Sequence, residues 1–131
     1  MKNPQIVSIL PSGARTVTPT DQAMLRGRGS DGYSGIRVLV NVSALTASPD
    51  LVVTVQGYNP ITDQWFSVLI GTAITDVTGT GQYVYKVFPG ATPSAGATAN
   101  DVLPGTWRVI TTHGDADSIT YSVTVELLQG A

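Results

Sequence analysis

The sequence contains no cysteine, and only 12% of its 131 residues are charged. Without cysteine the chain has no disulfide, no thiolate metal site and no cysteine nucleophile. The charged share is about half that of an ordinary soluble domain. Thr, Ser, Gly and Asn fill the polar positions instead. Such a composition favours a protein that buries much of its surface in an assembly.

Basic residues are also scarce, since seven Lys and Arg stand against nine acids and the net charge is −2. Nucleic-acid proteins need a basic patch or stripe, because each contacted phosphate is neutralised by a cation. We therefore expect no nucleic-acid partner. The one basic cluster is interpreted as a loop that contacts a neighbouring protein, where guanidinium groups can pair with carboxylates. Its residues are Arg26, Gly27, Arg28 and Gly29.

Long hydrophobic runs are missing as well. The apolar run at residues 6–10 ends at Pro11, which is too short for a secretory signal. No segment approaches the roughly 20 apolar residues of a membrane span. We expect a protein with no membrane partner that is made in the cytoplasm and leaves it by assembly or lysis.

Alternation of apolar and polar residues is the dominant pattern that is present. In residues 119–127 every odd position is apolar and every even position is polar, which predicts a strand with one face on a core. Similar runs occur near residues 36–42, 51–55, 83–88 and 107–111. The residues that we predict to share one core are Ile36, Val38, Val40, Val53, Val55, Trp107, Val109, Tyr121, Val123 and Val125.

Turn-forming residues separate these runs. Residues 58–64 predict a hairpin loop, in which Pro60 fixes φ and Asp63 caps the turn. Residues 79–81 and 113–117 predict further turns, and residues 89–105 predict a long crossing loop.

Seven or eight strands at this spacing predict an all-β fold, an antiparallel β-sandwich of jelly-roll or immunoglobulin-like type. We expect one domain overall, with residues 1–34 as an N-terminal arm or loop region packed on a sandwich of residues 35–131. Helix is possible only at residues 20–25, as one short turn.

Catalytic residues do not stand out. Serine catalysis needs a base, usually a histidine held by a carboxylate. His113 is the only histidine, and Asp115 and Asp117 follow it, but no serine lies in a Gly-x-Ser-x-Gly elbow. We interpret His113 as a residue that caps a hairpin loop. The sequence therefore predicts no enzyme, no catalytic residue and no cofactor.

Two other patterns have both a binding and a structural interpretation. Asp115, Asp117 and Ser118 offer oxygen ligands, but calcium takes six to eight oxygens and Asp101 would have to come from another loop. We interpret them as a turn and predict no metal site. Trp65 and Trp107 each begin a predicted strand, where a large ring would close one end of the core, whereas a sugar-binding platform would need the rings exposed.

Two stretches together resemble a known group of proteins. The first is LVVTVQGYNP at residues 51–60, followed by Trp65. The second is VLPGTWRV at residues 102–109, followed by HGDADSITYSV at residues 113–123. They are similar to small proteins encoded among the virion genes of tailed bacteriophages. The resemblance covers roughly residues 36–127.

The resemblance implies a capsid decoration (cement) protein. Such a protein is a non-enzymatic component of the virion that lies on the capsid surface and clamps neighbouring major capsid subunits. It implies a homo-oligomer, with a trimer favoured, bound to the major capsid protein or another virion protein. A tail, neck or fibre protein would look alike. A carbohydrate-binding adhesion module is the other alternative, favoured if Trp65, Trp107, Tyr58 or Tyr33 were exposed in a line.

Overall fold

The computed structural model describes residues 5–17, 24–25 and 33–129. These residues form ten strands and no helix, which confirms the all-β class. Seven strands are long and three have only two or three residues. The strands are β1 (Gln5–Arg15), β2 (Met24–Leu25), β3 (Tyr33–Leu45), β4 (Asp50–Asn59), β5 (Gln64–Ile70), β6 (Ile74–Thr75), β7 (Gly81–Phe88), β8 (Thr98–Asn100), β9 (Trp107–His113) and β10 (Ile119–Gln129).

The strands are arranged in two sheets, as expected for a β-sandwich. Sheet A has the order β1-β10-β3-β7-β8, and sheet B has the order β2-β9-β4-β5, with β6 paired to β4 beside β5. All pairs are antiparallel except β7 and β8.

One hydrophobic core lies between the two sheets and contains residues from both. All ten residues that the alternation predicted for the core are buried in it. Trp107 is 1% exposed and Val123 is fully buried. The prediction succeeded because successive side chains of a strand point to opposite faces, so the apolar face of each strand is set locally.

Residues 5–15, which were predicted to belong to an N-terminal arm or loop region, form strand β1 of sheet A. β1 pairs with β10 from Gln5 to Arg15, although the register shifts between Ser8 and Leu10 and again between Leu10 and Gly13. Ile9 and Leu10 are buried in the core. These two consecutive core residues interrupt the alternation, which explains why the sequence pattern did not indicate a strand. The expected division at residue 35 lies inside β3.

The connections follow the predicted turns with two additions. Residues 60–63 join β4 to β5, and Asp63 has a left-handed φ of 55°. Gly79 and Gly81 also have positive φ angles, of 77° and 139°. The predicted crossing loop at residues 89–105 contains β8, which extends sheet A. Within the segment considered for a helical turn, residues 24–25 form β2 and pair with β9.

Candidate functional site

Two aromatic rings lie side by side on the outer face of sheet B. Tyr58 and Trp65 are cross-strand partners at the hairpin end of β4 and β5. Their ring centroids are 5.0 Å apart and the ring planes are tilted by 52°. Both side chains are half-buried. The alternation that turns Val55 inward also turns Tyr58, and therefore its partner Trp65, away from the core.

Arg108 reaches this pair from β9. Its guanidinium carbon lies 4.0 Å from the centroid of the Trp65 ring, which is a cation–π contact. Its Nε donates a hydrogen bond of 2.7 Å to Oε1 of Gln56, its cross-strand partner on β4. Burial lowers the pKa of Arg108, but a guanidinium stays charged at neutral pH. Gln56, Tyr58, Trp65 and Arg108 are called the Trp65 cluster below.

The hydroxyl of Tyr58 donates a hydrogen bond to Asp63 in the hairpin loop. This hydrogen bond to the carboxylate is the main reason that the pKa of Tyr58 is raised. In the same loop, Oδ1 of Asn59 accepts a hydrogen bond of 3.0 Å from the backbone N–H of Ile61. The loop is therefore tied by its own side chains, and it holds Tyr58 next to Trp65.

The face around the Trp65 cluster is poor in charge. Ile70 is 60% exposed and lies opposite Thr54, which lies opposite Ile110 on its other side. Two residues earlier on β4, and on the same face of the sheet, Val52 lies opposite Thr112. Beside Arg108 this face carries aliphatic, hydroxyl, amide and aromatic side chains, and the carboxylate of Asp63 lies in the adjoining hairpin loop. Trp, Tyr and Arg are the residue types most enriched at the centres of protein interfaces, so this face is suited to binding a protein surface.

The two tryptophans differ from the sequence expectation in one respect. Trp107 closes the core as predicted, but Trp65 lies outside it, because its partner Tyr58 belongs to the outer face of β4. The line of exposed rings that would favour a sugar platform is therefore incomplete. Tyr33 belongs to sheet A, and Arg108 already occupies one face of the Trp65 ring.

The region around His113 forms a second polar cluster, at the ends of β9 and β10. Nε2 of His113 lies 2.9 Å from the hydroxyl of Tyr121, and that hydroxyl lies 2.9 Å from Oγ1 of Thr111. Arg15 crosses the Tyr121 ring at 4.8 Å and donates a 2.8 Å hydrogen bond to its backbone oxygen. These contacts connect β1, β9 and β10.

Burial sets the protonation behaviour of this cluster. It lowers the pKa of His113, the cation Arg15 lowers it further, and Asp115 acts in the opposite direction. Burial also raises the pKa of Tyr121. A neutral imidazole can accept the hydrogen bond of a protonated tyrosine. His113 and Thr111 therefore provide the buried hydroxyl of Tyr121 with hydrogen-bond partners.

Asp115 and Asp117 are used within the β9–β10 connection. Oδ1 of Asp115 accepts a 3.1 Å hydrogen bond from the N–H of Asp117, and Oδ2 of Asp117 accepts one of 3.1 Å from the N–H of Ser48. The first of these hydrogen bonds has the geometry of an Asx turn, and the second ties the turn to the β3–β4 connection. Within residues 5–17, 24–25 and 33–129, no group of three or more His, Cys, Asp or Glu side chains could hold a metal ion.

Arg26, Gly27, Arg28 and Gly29 lie outside the described residues. The strand that precedes them, β2, pairs with β9 at Trp107 and Arg108.

The Trp65 cluster could be found only in part from the sequence. Tyr58 and Trp65 flank the predicted hairpin symmetrically, so their pairing follows from the loop. The contribution of Arg108 does not follow, because its strand lies far along the chain and pairing between distant strands has no local signal.

Comparison of the chain with protein-family models, with curated proteins and with solved structures found no match. The phage resemblance therefore stays a prediction. No helix suited to crossing a membrane occurs in the part of the chain that the structure describes.

Proposed function

We propose that this chain is a non-enzymatic structural virion protein that decorates a phage capsid by binding the major capsid protein. The observation that carries the proposal is the Trp65 cluster, because it places Trp, Tyr and Arg together on an otherwise charge-poor sheet face. The charge-poor composition and the resemblance of residues 36–127 support the same conclusion. Within this proposal the sandwich is of jelly-roll or immunoglobulin-like type and the protein acts as a small symmetric oligomer.

Docking through this face requires little rearrangement. Gln56 holds the Arg108 guanidinium against Trp65, so less side-chain freedom is lost when a partner binds. Cementing a shell needs no chemistry. A protein that binds the closed shell better than the opened one stabilises the closed shell by mass action.

Binding to heads that lack the protein tests this proposal. We expect Trp65→Ala to weaken co-sedimentation with such heads by about tenfold or more, because a central aromatic residue is removed from the interface. The matched control is Val77→Ala, since Val77 is 90% exposed in the β6–β7 connection. It should bind as the wild type does. Equal binding by both variants contradicts the role of the face.

The cementing role has a separate test. Complete heads should survive heat and low ionic strength better than heads without the protein. If both kinds of head survive equally, the decoration role is wrong. Location of the protein at the tail or neck in labelled virions would favour the alternative of a tail, neck or fibre component.

A carbohydrate-binding adhesion module is the second candidate, and the adjacent rings of Tyr58 and Trp65 favour it. A sugar would stack on a free ring face, which Arg108 restricts on Trp65. Arg108→Ala should strengthen glycan binding if this candidate is correct and weaken head binding if the protein is a decoration protein. A glycan array and the sedimentation assay distinguish the two.

A further inference from the structure

The open edges of the two sheets differ in how they are protected. A strand at a sheet edge presents unpaired N–H and C=O groups to any other extended chain, and proteins usually guard it with short length, charge, proline or bulges. Sheet A ends in β1, which has Pro11 and two register shifts, and in β8, which has three residues. Sheet B ends in β2, which has two described residues, and in β5.

β5 has fewer of these guards than β1. It has seven residues, Gln-Trp-Phe-Ser-Val-Leu-Ile, with no charge and no proline. Its one register shift falls at Val68, which has no partner on β4 between Ser67 and Leu69. Among the described strands β5 pairs with β4 alone. Phe66 is 46% exposed and Ile70 is 60% exposed, so apolar surface accompanies the backbone groups that no other described strand pairs.

We propose that β5 pairs antiparallel with β5 of a second copy of this chain, so that two B sheets join into one continuous sheet. A two-fold axis at the strand midpoint places Ser67 opposite Ser67. Contact of the same patch on both subunits is the usual arrangement of a symmetric dimer. The pairing satisfies the edge backbone groups of both copies and covers Phe66 and Ile70.

Charge favours a second copy in this orientation. Because β5 is uncharged, self-pairing brings no like charges together inside the strand. At the strand ends, antiparallel pairing places Asp63 of one copy near Gly71 and Thr72 of the other. Parallel pairing would place Asp63 beside Asp63, which is unfavourable. The geometry thus predicts a two-fold pair instead of the trimer that the resemblance implies.

The mass of the purified full-length chain in solution tests this inference without involving capsids. Sedimentation equilibrium across a dilution series should show a species of twice the 13.7 kDa chain mass. Ser67→Lys should give the monomer mass, because two lysines would face each other across the axis. Ser8→Lys is the matched control, since Ser8 is an exposed serine on the edge strand β1. It should remain a dimer.

A charge-swap experiment tests the symmetry itself. An equimolar mixture of Ser67→Lys and Ser67→Glu should form mixed dimers, because opposite charges then face each other, whereas each variant alone stays monomeric. Circular dichroism and melting check that the variants fold, and Ile70→Lys replaces Ser67→Lys if the latter does not. A wild-type chain that is monomeric or trimeric, or a Ser67→Lys variant that remains dimeric, overturns the proposal. A chain that pairs only with an extended segment of a partner protein is monomeric alone, and that result overturns the proposal too.

Discussion

At the scale of single residues, His113 shows how a polar group can be placed by packing. Its ring contacts the hydroxyl of buried Tyr121, and burial together with Arg15 lowers its pKa from the ordinary value of a histidine. The imidazole is therefore held in its neutral form more strongly in the folded chain than in the unfolded one. Such a difference links the stability of the fold to pH.

We expect the protein to lose stability on acidification through His113. Well above a pH of about 6.5, the ordinary pKa of histidine, the residue is neutral in both states and its contribution is complete. As the pH falls below that value, the unfolded chain binds a proton that the folded chain resists, so the free energy of unfolding decreases until the lowered folded pKa is passed. Melting at pH values of about 7.5 and about 5.5 measures the decrease, which should be smaller in His113→Gln.

The acidic residues provide the control for this comparison, because they are shared by the wild type and His113→Gln. Their contribution to the acid response therefore cancels in the difference between the two proteins. An identical decrease in both proteins would show that His113 is not the group responsible. Head binding by His113→Gln at neutral pH should be unchanged, since the proposed docking face does not include His113.

At the scale of elements, the connection between β7 and β8 is fixed by glycine. Gly96 has a φ of +72°, and a Cβ there would overlap the hydroxyl of Thr72. The N–H of Thr72 also donates a 3.0 Å hydrogen bond to the oxygen of Gly96. Gly90 has a similar φ of +86°, but a Cβ there would meet nothing within 4 Å. A comparison of alanine substitutions at the two glycines therefore distinguishes the cost of backbone strain from the cost of steric overlap.

We expect Gly90→Ala to destabilise the protein by about 1–2 kcal/mol, because alanine is strained in the left-handed region. Gly96→Ala should cost at least about 1 kcal/mol more, since Thr72 must also move. Urea unfolding of the two variants gives both values. Equal losses would mean that the Thr72 contact relaxes without cost, and a double variant with Thr72→Ala should recover part of the extra loss.

The elements also show where sequence patterns are informative. β10 was predicted because its polar and apolar residues alternate without interruption. The β4–β5 hairpin was predicted because Pro60 and Asp63 lie between an alternating run at residues 51–55 and an apolar stretch that begins at Trp65. β1 was not, because consecutive Ile9 and Leu10 are both buried and the register shifts there. A bulge removes the periodicity on which the prediction depends.

At the scale of the whole molecule, the proposals concern what the sandwich binds. The outer face of sheet B is proposed to meet the capsid, and the edge strand β5 is proposed to meet a second copy. Both surfaces belong to one sheet, so a two-fold pair would present two Trp65 clusters on one continuous sheet. Two linked contacts bind more tightly than one when both can engage together.

The segment with Arg26, Gly27, Arg28 and Gly29 gives a further prediction at this scale. Deleting it should leave the melting temperature of the isolated protein unchanged but weaken attachment to heads, because its arginines can pair with capsid carboxylates. Replacing only Arg26 and Arg28 by Gln separates charge from chain length. Sedimentation with heads at low and high salt measures the effect. Attachment that is unchanged by the deletion places the contact elsewhere.

The sequence by itself determined the all-β class and the residues of the core, because the inward face of a strand is fixed by its own alternation. It also determined the main turns, since proline and glycine act through their own backbone angles. Only the tertiary structure decided that β1 lies beside β10, that Arg108 covers Trp65 and that β5 is left at an edge. These features depend on which distant strands pair, and that choice is made by packing of the whole chain, which no local pattern records.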